Sequence, residues 1–193
     1  MHIGILLFDG VEELDFCGPL EVFSGAKKAG ADVDVFTLAS KSPVTCAAGL
    51  TVVPSYTLEE APELELLVVP GGPGTRVAVR DAAAVEFIRR EGTSARTPMP
   101  RVASVCTGAL LLGAAGLLEG KRCTTHHAAL DLLREEVPGA HVESGVRYVG
   151  DGDLWTGAGV VSGIDLALAL VEEFFGAQLA VQVAANIEFT STT

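Results

Sequence analysis

Apolar residues along this chain fall into short continuous runs separated by turn residues and amphipathic stretches. Ile3–Phe8, Leu64–Val69 and Val102–Val105 are almost unbroken apolar segments. Segments of that kind suit central parallel strands, which are buried on both faces. Asp32–Ala39 alternates and ends in a strand-like VFTLA. Helical periodicity lies between these runs. Gly18-Pro19 predicts a helix start, with Pro19 at the first helical position and Leu20, Val22, Phe23 and Ala26 on the apolar side. Ala82–Gly92 predicts a helix with Val85, Phe87 and Ile88 inward and Arg89, Arg90 and Glu91 outward. Ala109–Ala115, a segment from His126-His127 to Glu136, Val160–Phe175 and Gln178–Phe189 complete the predicted helices. Shorter β pieces are predicted at Arg122–Thr125 and in two hairpins. One lies within Val44–Val53, and the other joins Val142–Val149 to Leu154–Thr156 around Gly150-Asp151-Gly152. Strands alternating with helices predict an α/β fold: a doubly wound, mostly parallel sheet covered by helices on both faces. Without a linker, repeat or low-complexity segment, residues 1–193 are expected to form a single domain.

Composition narrows the function classes. The chain is 49% hydrophobic, so it is expected to pack a full core. Its net charge of −12 counts against nucleic acid and anionic membrane as partners. No apolar run is long enough for a membrane span. MHIGILLFDG has neither the basic region nor the cleavage site of a secretion signal and reads as a first strand. The four cysteines, Cys17, Cys46, Cys106 and Cys123, form no C-x-x-C pair. Free thiols in a reducing cytoplasm are therefore expected.

The chemistry centres on Cys106, where the Val102–Val105 strand gives way to the Ala/Leu-rich helix. A sharp strand-to-helix turn crowds the positions two before and two after it, and here they are the small residues Ser104 and Gly108. Such an elbow aims the sulfur out of the C-terminal sheet edge, beside free helical N–H groups that favour thiolate. Outside that context, Cys106 would read as one more buried cysteine. Pro70-Gly71-Gly72-Pro73-Gly74 follows a strand at the same edge, where doubly wound sheets place ligands. It lacks the G-K-[ST] of a phosphate loop, and its expected contribution is exposed backbone N–H groups near Cys106. A nucleophilic thiol needs a proton-handling partner. Asp15, after the first strand and among Leu14, Phe16 and Pro19, reads equally as a carboxyl with a raised pKa or as a solvated cap, with Glu12 and Glu13 nearby. His126 and His127 read as caps of the following helix, one of which could line the pocket. Neither a metal-ligand spacing nor a dinucleotide fingerprint occurs, so no metal or cofactor is expected.

These segments together carry a resemblance. LLFDGVEELDFCGPLEVF, VVPGGPG, SVCTGALLLGAAGLLEGKRCTTHHAAL and TGAGVVSGIDLALALVEE resemble the DJ-1/PfpI superfamily over Ile3 to about Phe175. The resemblance implies a flavodoxin-like, class I glutamine amidotransferase-like sandwich, a homodimer, and a reactive elbow cysteine paired with an acidic residue, here Cys106 and Asp15. PfpI-type peptidases carry His directly after the cysteine, where this chain has Thr107. Glutamine amidotransferases need a downstream His, and none follows His141. The DJ-1 and glyoxalase or deglycase branch uses Glu where this chain has Asp15. L-D-x-x-G-P with S-V-C-T-G is similar to bacterial isocyanide hydratases. That branch implies hydration of a small-molecule isocyanide to a formamide without cofactor, with Gly71, Gly72 and Thr107 N–H groups positioning the substrate and Cys17, His126 and Val160 near the pocket. Cys17 departs from the Thr common there. The sensor half of AraC-type transcription regulators shares these motifs, but no helix-turn-helix pattern is present before Thr193, so a stand-alone enzyme is expected. A redox or stress-response protein acting through Cys106 oxidation is the third reading.

Overall fold

The computed structural model describes residues 1–94 and 102–190. Its centre is a sheet built on the apolar runs: β1 (His2–Leu7), β6 (Leu66–Val69) and β7 (Val102–Ser104). β2 (Asp34–Ala39) and β5 (Tyr56–Thr57) extend it on one side, and β11 (Leu154–Gly157) and β10 (Tyr148–Asp151) on the other. The order is β10-β11-β7-β6-β1-β2-β5, parallel throughout except for the β10–β11 hairpin. The register Val69↔Ser104↔Thr156 ends three adjacent strands level with one another. Their C-terminal tips share one edge, and the loops leaving that edge carry the chemistry.

α1 (Glu13–Lys28), α6 (Ser162–Phe175) and α7 (Ala177–Asn186) pack together as one helical layer. α4 (Gly108–Ala114) is the centre of the other, with α2 (Thr75–Ala78), α3 (Ala82–Thr93) and α5 (Leu130–Glu136) against it. This is the mostly parallel sheet with helices that the alternation predicts. Two small pairs lie outside it: the antiparallel β3 (Val44–Thr45) and β4 (Thr51–Val52), and the parallel β8 (Arg122–Cys123) and β9 (His141–Val142).

Several boundaries differ from the sequence expectation. α1 starts at Glu13 rather than at Gly18-Pro19, so Pro19 lies inside the helix. Glu12 N–H donates to the Gly71 carbonyl at 2.9 Å, and Asp15 N–H donates to the Glu12 carbonyl at 3.2 Å, closing the first turn early. Asp15 is thus a first-turn helical residue. Glu91, expected outward, is buried and pairs with Arg90 at 3.1 Å. His141-Val142 pairs with β8 instead of joining the hairpin, which begins at Tyr148. α6 begins at Ser162 rather than Val160, because Val160 has a φ of 25°, outside helical backbone. β5 and α2 are too short for any periodicity to reveal.

Ser104 is fully buried in β7, and its Oγ has no hydrogen-bond partner among the described residues. An unsatisfied buried hydroxyl is destabilising, so Ser104→Ala is expected to raise stability by about 1 kcal/mol. Thermal melts of the two proteins check this; a lower melting temperature in the variant would show that the hydroxyl has a role in the fold.

Candidate active site

The elbow forms at Cys106, whose φ of 56° is in the left-handed region. Both of its backbone groups are held. Its N–H donates to the Gly157 and Ala158 carbonyls at 3.1 and 2.9 Å, and its carbonyl accepts from the Thr125 hydroxyl at 2.7 Å. Gly108 N–H closes the turn onto Val105 O at 2.9 Å. A Cβ at Gly108 would come within 2.1 Å of the Val69 carbonyl oxygen, which is why the elbow needs glycine there. Cys106 is 6% exposed.

Asp15 reaches the same point from α1. It is fully buried, and Oδ2 accepts from Gly71 N–H at 3.0 Å. A Cβ at Gly71 would meet Thr107 N at 2.4 Å and Cys106 Cβ at 2.9 Å, so only glycine allows the loop this close. Oδ1 makes no hydrogen bond of ordinary geometry among the described residues. The Cys106 thiol, which interacts with this carboxyl, is the group that faces it. Burial pushes the Asp15 carboxyl up to about 6, against the lowering effects of Cys106 and of the Gly71 N–H. Burial also pushes the Cys106 thiol up, to about 12, helped by the negative charge of Asp15. The backbone N–H groups of Thr107 and Val160 pull it the other way.

Between those limits the pair holds one proton and one negative charge, and the two groups titrate together. The elbow argument alone expects thiolate. Desolvation and the neighbouring carboxylate outweigh two N–H donors, so the thiol pKa is raised rather than lowered here, and Asp15 is the carboxyl placed to exchange a proton with it. The pair can therefore pass a proton within the site without help from solvent.

The other expected site residues divide by what their groups already bind. Gly71 N–H is taken by Asp15, and Gly72 N–H by the Thr107 hydroxyl at 2.9 Å. Neither is free for a substrate. The Thr107 hydroxyl also lies 3.1 Å from the Gly72 carbonyl and 3.2 Å from Thr75 Oγ1, so it braces the loop, while its backbone N–H faces the sulfur. Val160 supplies the second N–H through a backbone conformation rare for a β-branched residue, a strain of the kind found where geometry is held for function. A valine gives no sequence sign of such a turn. His126 accepts from Ala128 N–H through Nδ1 at 3.2 Å and lies against His127, with ring centroids 4.2 Å apart. Burial and the His127 charge lower its pKa, so the ring is neutral at neutral pH. His126 thus caps a turn and lines the pocket at once. Cys17 does not line that pocket. It faces Glu13 and Cys46, one helical turn along α1 from Glu13, whose carboxylate accepts from Ala48 N–H at 2.8 Å.

A cavity of about 300 Å³ opens over Cys106. Ala128, Ala129 and Val160 give it apolar walls, His126 closes one side, and Glu12 and Arg76 place opposite charges on the rim. Among the described residues, no group of three or more His, Cys, Asp or Glu side chains is arranged to hold a metal ion. The arrangement suits nucleophilic attack by sulfur on a small electrophile, with one carboxyl moving the proton.

Residues 1–173 match the sequence model of the DJ-1/PfpI family. The isonitrile hydratase of Pseudomonas putida is 42% identical over 98% of this chain and 78% of its own length. The HTH-type transcriptional regulator CdhR of Pseudomonas aeruginosa is 32% identical over 92% of this chain, which spans 52% of the regulator. Among solved structures, a ThiJ/PfpI family protein from Pseudomonas syringae superposes with a TM-score of 0.87 at 34% identity, covering 100% of this chain and 76% of that one. Family-wide match, relatives and fold agree: the chain belongs to the DJ-1/PfpI family.

Proposed function

We propose that this protein hydrates isocyanides to N-substituted formamides, with Cys106 as nucleophile and Asp15 as the proton carrier. The observation that carries the reading is a buried carboxyl set beside the elbow thiol at the floor of a small, largely apolar cavity. Similarity to the Pseudomonas putida isonitrile hydratase supports this substrate class.

In the proposed reaction, Asp15 accepts the thiol proton as Sγ bonds to the terminal isocyanide carbon. The same proton then passes to that carbon, leaving the thioimidate R–N=CH–S–Cys106. Asp15, ionised again, takes a proton from water as the water oxygen adds to the carbon, and passes it to nitrogen. The C–S bond of the resulting R–NH–CH(OH)–S adduct breaks, the hydroxyl proton returns to sulfur, and the formamide leaves. The N–H groups of Thr107 and Val160 hold the negative charge on sulfur during attack and departure. No cofactor enters the balance.

Reduced, purified protein incubated with alkyl and aryl isocyanides is expected to release the matching formamides. Binding without turnover across such a series would favour the ligand-sensing reading, which similarity to the CdhR regulator supports. The reading also takes the protein as a cytoplasmic homodimer acting on small molecules without nucleic acid. Light scattering is expected to give twice the chain mass, and a strict monomer would contradict that assembly.

A further inference from the structure

Arg76 and Arg80 stand apart from every other described basic side chain. The remaining described lysines and arginines each pair with a carboxylate. Arg76 and Arg80 make no ion pair or side-chain hydrogen bond among the described residues. In a chain of net charge −12, two uncompensated guanidinium groups lining one cavity stand out. Their position is equally specific. Arg76 is on the rim of the Cys106 cavity and also lines an adjoining cavity of about 440 Å³. Arg80, four residues on and past the end of α2, lines that second cavity only. Its other walls are largely apolar, Leu110, Leu132 and Val137 among them, with Glu136 the one acidic side chain. Two cations against one anion leave the second cavity net positive, and Arg76 lines both it and the Cys106 cavity.

We propose that Arg76 and Arg80 form an anion subsite for the substrate's tail, so that the preferred substrates are isocyanides carrying a carboxylate at the end of an apolar spacer. The identity of the reacting group rests on the hydratase reading above; the anion subsite does not. Arginine binds carboxylate in a planar, two-pronged geometry that neutral groups cannot match, and apolar walls suit an alkyl or aryl spacer.

Two measurements separate the claims. Isocyanoalkanoates of increasing chain length are compared with their methyl esters as substrates. Independently, calorimetry measures binding of the matching formamidoalkanoates and their esters to Cys106→Ala protein. A charge-assisted contact predicts that acid is favoured over ester by about tenfold in both assays at the best chain length. Arg76→Gln with Arg80→Gln is expected to erase that ratio, while Arg76→Lys with Arg80→Lys keeps part of it. Equal handling of acid and ester, or a preference that survives the double Gln replacement, would overturn the subsite. An Arg-dependent preference in binding with no turnover of any isocyanide would sustain the subsite and defeat the hydratase reading. Turnover without preference would do the reverse.

Discussion

Cys106→Ala is expected to lower isocyanide hydration to the uncatalysed rate while the protein stays folded. Covalent catalysis requires a nucleophile in the cavity, and no other thiol is there to replace it. Cys46 and Cys123 are buried elsewhere, and Cys17 faces Cys46. Alanine removes only the sulfur. The hydrogen bonds that set the elbow come from the backbone of Cys106 and from Gly108, so the turn should survive. The expected loss is about 10⁶-fold or more, the lower end of ordinary enzymatic rate enhancement. Chromatographic assay of formamide checks it, with thermal melts as the control for folding. Activity within tenfold of wild type would remove Cys106 from the mechanism.

Asp15→Asn is expected to affect two observables in opposite directions. Asparagine keeps an oxygen to accept the Gly71 N–H and places an amide near the sulfur, but it cannot take up a proton. Turnover should fall by about 10²–10⁴-fold, the usual worth of general acid–base assistance. In wild type, kcat/KM should rise with pH until Asp15 is ionised near 6 and then level off; in Asp15→Asn that rise should vanish. Stability moves the other way. The carboxyl value in the folded state, about 6, lies above the ordinary 3.8, so folding binds this proton more tightly than the unfolded chain does. Below pH 3.8 the group is protonated in both states and carries no charge penalty. As pH rises through about 6, the folded state has to bury a carboxylate, at a cost of about 3 kcal/mol. Asp15→Asn avoids that cost, so it should be more stable than wild type at neutral pH and lose the advantage as pH falls below 4. Denaturant melts at the two pH values read the difference. An equal effect at both would mean that ionisation of Asp15 is not its source.

The legible parts of this protein are those in which local chemistry and position agree. Three buried strands announced themselves as apolar runs, and Cys106 was marked by the small residues Ser104 and Gly108 around it. Asp15 was legible as a carboxyl at the right sheet edge, but its helical setting was not, because Pro19 reads most simply as a helix start. That one misplacement explains the position of Cys17. Two residues apart in a loop, Asp15 and Cys17 could share a pocket; in α1 they lie on different faces, and Cys17 points to Cys46. Gly71 and Gly72 were legible as a tight loop, but sequence does not show which internal acceptors claim their N–H groups. Val160 donates through a conformation that its side chain disfavours, so propensity pointed to helix. Arg76 is in a helix of four residues, too short for periodicity, and its cation beside the ligand edge was the only available sign.

The most direct test follows the isocyanide carbon itself. With that carbon isotopically labelled, NMR of the reaction in heavy water should show it passing to a thioimidate bonded to Cys106 or straight to product, and ending as the formyl carbon of the formamide, bearing deuterium. The signal should appear with wild-type protein and not with Cys106→Ala. Labelled isocyanide that stays unconsumed by reduced wild-type protein, or that is converted equally fast by Cys106→Ala, would contradict the account.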